Sequence, residues 1–85
     1  MNNMKENLNY NVYFRLESEG GFTAIVPSLP GCVSYGKTLQ EAKEMIVDAI
    51  KGYLVSLKKH NEFVPADDKE AFFTSVEIKM AKSHA

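Results

Sequence analysis

A single α+β domain with the element order β-β-β-α-β is predicted by three features of this 85-residue sequence. Two are stretches in which apolar and polar side chains alternate, residues 8–17 and 72–80. The third is a stripe of apolar residues at helical spacing that runs from Leu39 to Leu57. A period of two marks strands with one buried face, and a period near 3.6 marks a helix that covers a surface.

In the first stretch Leu8, Tyr10, Val12, Phe14 and Leu16 fall on one face, with Asn9, Asn11, Arg15 and Glu17 on the other. Ser18-Glu19-Gly20-Gly21 follows, and paired glycines supply the positive φ values of a tight hairpin. Residues 22–26 then read as a second strand, antiparallel to the first, with Phe22, Ala24 and Val26 on one face. Pro27 has no amide donor and ends it. Pro30-Gly31 makes the next turn, and residues 32–36 are short and β-prone, which predicts a third strand.

Thr38-Leu39-Gln40-Glu41 matches a capping box and marks the start of the helix. Leu39, Ala42, Met45, Ile46, Ala49, Ile50, Tyr53, Leu54 and Leu57 form a stripe wide enough to cover one face of a sheet. Lys58, Lys59 and His60 complement the helix dipole in the last turn. Asn61 suits a left-handed cap, and Pro65 prevents continuation. Gly52 either permits a close backbone approach or is a tolerated defect. A charged loop over residues 67–70 leads to the last strand, where Phe72, Thr74, Val76, Ile78 and Met80 alternate with Phe73, Ser75, Glu77 and Lys79.

Chirality then sets the topology. Three strands form an antiparallel meander, and a right-handed crossover through the helix brings the fourth strand parallel to strand one. One helix covers one face of the sheet. The other face has no second helix, and Tyr13, Ile25 and Phe73 point toward it, which predicts a partner surface.

Composition supports one small folded domain spanning residues 1–85, with its core over about 8–80 and flexible ends at 1–7 and 81–85. The net charge of −1 creates no broad positive field for nucleic acid or anionic membrane. One cysteine, Cys32, cannot form an internal disulfide, and no apolar run approaches the length of a membrane span. The polar start of the chain does not read as a signal peptide, so the expected compartment is the cytoplasm.

Convergent catalytic groups are not apparent, and the chain is not expected to be an enzyme. Cys32 reads as a small buried hydrophobe, and His60 and His84 have no ligand-like spacing, so neither a metal nor another cofactor is expected. The β-β-β-α-β order is the first half of the ribonuclease H arrangement, whose two-metal chemistry needs converging carboxylates. Here Glu17 sits at a strand end, Glu41 serves the cap, and Glu44 and Asp48 read as a solvated helix face. Tyr13 and Tyr35 could stack on bases, but no basic ring surrounds them, and packing or protein contact is the better reading.

Residues 22–42 also carry a resemblance. Phe22-Thr-Ala, Pro27-x-x-Pro30-Gly31-Cys32 and Gly36-x-Thr38-x-x-Glu41-Ala42, followed by Asn61-Glu62-x-x-Pro65, resemble the HicB-like antitoxin family over about residues 8–80. The resemblance implies a partial ribonuclease H-like sheet and an antitoxin that binds a small HicA-type, mRNA-cleaving toxin and covers its active site. It also implies assembly into dimers or tetramers. Many members carry Asp where this chain has Ser28 and Lys37. Many also carry a C-terminal DNA-binding segment, which is not expected here, so direct DNA binding is not expected either. The motif residues Pro27, Pro30, Gly31, Gly36, Thr38, Glu41 and Ala42 have structural jobs. Tyr13, Tyr35 and Phe73 are the expected partner anchors. The alternative is an orphan member that serves as an oligomeric scaffold or regulator without a toxin.

Overall fold

The computed structural model describes residues 8–67 and 70–81. The expected flexible ends, apart from Ala81, lie outside that range, as do two loop residues and His84. Three strands precede one helix: β1 (Tyr13–Leu16), β2 (Phe22–Ile25), β3 (Val33–Gly36) and α1 (Leu39–Lys59). The sheet order is β1-β2-β3 and both pairings are antiparallel, which is the predicted meander.

Turn chemistry sets the register. Glu17 N–H donates to the Gly21 carbonyl and Gly20 N–H to the Glu17 carbonyl, both at 2.9 Å. Gly20 and Gly21 have φ of 100° and 86°, which closes a five-residue connection that other residues would strain. Between β2 and β3, Cys32 N–H donates to the Leu29 carbonyl at 2.9 Å around Pro30 and Gly31, whose φ is 83°. Proline followed by a positive-φ glycine is the type II pattern. This loop also buries Leu29 completely.

The first strand is shorter than its alternation implied. Tyr10, Val12 and Phe14 pack against the core, but Leu8 and Leu16 stay exposed at the ends. The core proper is Ala24, Val26, Leu29, Cys32 and Ile46, with Ala49, Ile50, Tyr53 and Leu54 of α1 packed on it.

The helix starts as its sequence dictates. Thr38 is the N-cap, and its hydroxyl accepts from Glu41 N–H at 3.0 Å. The Glu41 carboxylate reaches one residue further back than a capping box requires, accepting from Lys37 N–H at 2.6 Å. At the other end Asn61 has φ of 56°, Asn61 N–H donates to the Lys58 carbonyl, and Glu62 N–H donates to the Leu57 carbonyl at 2.8 Å. Together these form a Schellman cap. α1 lies over β3 and β2 and not over β1. Gly36 permits this closeness, since a Cβ there would collide with the Ala42 backbone.

The expected fourth strand is not seen among the described residues. Residues 71–81 belong to no described strand and are exposed throughout. A strand needs an edge to bond with, and alternation specifies a buried face without specifying which edge provides it. The start of this arm is nonetheless fixed. Tyr10 hydroxyl donates to the Pro65 carbonyl at 2.6 Å, Ser28 hydroxyl donates to Asp67 Oδ1 at 2.7 Å, and Asn11 N–H donates to Asp67 Oδ2.

Candidate partner-binding face

The pleat sends alternate residues to opposite sides of the sheet, and the register aligns them in rows. On the side away from α1, Tyr13 lies opposite Ile25 and Ile25 opposite Val33. The next row is Arg15, Thr23 and Tyr35. The first row is apolar and half exposed at both ends, with Tyr13 at 46% and Val33 at 50%. Phe73 lengthens it: its ring lies 6.3 Å from that of Tyr13, tilted by 44°, and the residue is 67% exposed.

The second row is polar. Arg15 Nε donates to Glu17 Oε2 at 3.1 Å, and the Thr23 hydroxyl donates to the same oxygen at 2.5 Å. The Thr23 hydrogen bond, and then that of Arg15, hold the Glu17 carboxyl below its ordinary pKa. Tyr35 lies at the hairpin end of the row. Its hydroxyl donates to the Gly20 carbonyl at 2.9 Å, and its ring occupies the space a side chain on Gly21 would need.

Of the three expected anchors, Tyr13 and Phe73 meet, and Tyr35 lies on the same face one row away. Val33 and Arg15 complete the surface and were missed by sequence reasoning. Counting both hairpin registers outward from Gly20-Gly21 and Pro30-Gly31 would have placed them there. The motif residues lie elsewhere: Pro27, Pro30 and Gly31 shape the loop between β2 and β3, Thr38 and Glu41 cap α1, and Gly36 meets Ala42 behind the sheet.

Reactive groups do not gather on this face. Cys32 is 3% exposed in the core, and burial raises its thiol pKa, which keeps it protonated and unreactive. Glu44 accepts from Gln40 along α1, and the His60 ring contacts the Ser56 carbonyl. Among the described residues no group of three or more His, Cys, Asp or Glu could hold a metal ion. No described helix is long and apolar enough to cross a membrane.

A three-stranded sheet covered by one helix, with an apolar row on its open face, defines a small α+β protein. Comparison with known proteins makes the class specific. Residues 10–81 match the family of HicB-like antitoxins of bacterial toxin–antitoxin systems, and the chain belongs to that family. It is 44% identical over 63 residues to a UPF0150 protein of Thermoplasma acidophilum, covering 74% of this chain and 91% of that one. A UPF0150 protein of Synechocystis is 41% identical over 64 residues, 75% of this chain and 81% of its own. Another from Helicobacter pylori is 38% identical over 65 residues, 76% of this chain and 89% of its own.

Proposed function

We propose that this protein neutralises a small HicA-type, mRNA-cleaving toxin by covering the toxin's active site with the open face of its sheet. The observation that carries this reading is the apolar row of Tyr13, Ile25 and Val33, exposed at both ends and extended by Phe73, in a chain of the HicB-like antitoxin family. Aromatic side chains bury large areas at low entropic cost and tend to dominate interface energetics. Arg15, Glu17 and Tyr35 beside them would form the polar rim that sets orientation.

Inhibition of this kind is steric. It asks for complementary shape and no reaction, so the reading includes neither enzymatic activity nor a cofactor, and its target places it in the cytoplasm. Self-association, and completion of a partial ribonuclease H-like sheet by residues 72–80, belong to the same reading and draw support from the alternation in that segment.

Co-expression with the neighbouring small open reading frame tests it. The expected result is a complex that survives purification and suppresses RNA cleavage. Combined Tyr13→Ala and Phe73→Ala substitution should weaken that complex about tenfold or more, since each tenfold is about 1.4 kcal/mol and buried aromatic anchors commonly exceed this. Tyr35→Ala should have a smaller effect. Unchanged affinity in all three single variants would remove the sheet face from the interface. A neighbour that neither binds nor harms growth would favour the orphan scaffold.

A further inference from the structure

The approach to β1 and the segment after α1 meet at two places. One is the aromatic pair of Tyr13 and Phe73 on the open face. The other is polar and is built from residues that the partner face does not use. Tyr10 hydroxyl donates to the Pro65 carbonyl at 2.6 Å, Ser28 hydroxyl to Asp67 Oδ1 at 2.7 Å, and Asn11 N–H to Asp67 Oδ2. Both carboxylate oxygens of Asp67 are therefore engaged, each by a different part of the body.

The body side of this junction is rigid. Ser28 lies between Val26 and Leu29, both buried, and Leu29 N–H donates to the Val26 carbonyl at 3.1 Å. The same loop is tied to α1, because Tyr53 hydroxyl donates to the Pro30 carbonyl at 2.8 Å. Tyr10 packs against the core. Donors held this firmly do not follow the segment; the segment comes to them. Pro65 and Asp67 are half-buried, whereas residues 70–81 are exposed throughout.

The aromatic pair needs such an anchorage. Its rings lie 6.3 Å apart and Phe73 is 67% exposed, so the contact gains too little to order a long tether by itself. Measured from the end of α1 at Lys59, Phe73 is fourteen residues away; measured from Asp67 it is six. Closure falls as about the −3/2 power of tether length, so pinning Asp67 raises the local concentration of Phe73 at Tyr13 about threefold.

We propose that Tyr10, Ser28 and Asp67 are positioning residues that latch the segment after α1 to the body, so that Phe73 is held against Tyr13 for the partner. Their role rests on the reading of the open face as a partner surface, and they touch neither the partner nor the aromatic rings. A partner that meets the pair already formed does not have to order it on binding.

Nuclear Overhauser contacts between the Tyr13 and Phe73 rings report the latch in the purified full chain with no partner present. At pH 8, where carboxylates are ionised, Tyr10→Phe with Ser28→Asp removes one bond and sets a second carboxylate against Asp67. The ratio of closed to open ring contact should fall about threefold with the helical circular dichroism unchanged. Tyr10→Phe with Ser28→Ala, which adds no charge, should lower it less. Adding Asp67→Asn to the first pair should restore the contact. The new amide nitrogen can donate to the carboxylate introduced at position 28 while its oxygen still accepts from Asn11 N–H. An undiminished contact in the first variant, or no recovery in the second, would overturn the latch. Affinity for the protein encoded by the neighbouring small open reading frame should fall by up to the same factor and recover with the contact. In a Phe73→Ala background the same substitutions should leave affinity unchanged, since no ring remains to be placed. A loss that persists there would mean direct contact with the partner and would overturn the positioning role. If Phe73→Ala alone leaves affinity unchanged, the sheet-face reading fails, and the ring contact still decides the latch.

Discussion

Glu17 gathers more interactions than any other residue on the open face. It ends the alternating run, closes the hairpin through its backbone, and accepts from Thr23 and Arg15 with one oxygen. Because these bonds favour the carboxylate, its pKa is lowered from the ordinary 4.5, so it stabilises the fold above that value. The contribution is lost as pH falls through the lowered folded value. Urea unfolding of wild type and Glu17→Gln should therefore differ at neutral pH and converge in acid. A gap that persists in strong acid would point to packing and not charge. The sequence places Glu17 at a strand end, but its bonding to Thr23 depends on cross-strand register and was not legible there. Cys32 was legible, because a small apolar residue in a short strand has few alternatives to the core.

At the level of elements, α1 was the most legible part of the fold because its signals are local. Cap, stripe, basic last turn and terminal Asn61 all act within a few residues of the structure they specify. Gly52 was ambiguous, and the structure resolves it: a Cβ there would meet nothing within 4 Å, so no close approach requires glycine. Gly52→Ala should raise stability by about 1 kcal/mol, read as a higher urea midpoint with an unchanged slope. Gly36 is the opposite case, and Gly36→Ala should destabilise by about 1–3 kcal/mol because the helix must move away from Ala42. Nothing in the residue string separates these two glycines. Only the placement of α1 against β3 does, and that is a long-range fact. Leu29 escaped notice for a similar reason: an isolated leucine between prolines carries no period, yet the loop folds it under the sheet.

For the molecule as a whole, the meander and helix were readable and the fate of the last segment was not. Alternation in residues 72–80 specifies a strand with one buried face, and both its own chain and a second copy can provide the edge. The proposed reading includes self-association, and where folding is coupled to association the melting temperature should rise with protein concentration by mass action. Melting curves across a hundredfold concentration range, at constant salt, check this, and a constant midpoint would argue for a self-sufficient monomer. The contact between Tyr13 and Phe73 has a consequence at this scale. Phe73 belongs both to the open face and to the arm, at the point where the arm leaves the body. Any ligand that grips this aromatic pair also restrains the direction in which residues 74–81 leave the body, so ligand binding and the placement of that segment share a free energy. Linkage is reciprocal: whatever holds the segment in the direction the ligand favours must make the ligand bind more tightly, and whatever holds it in another must weaken that binding.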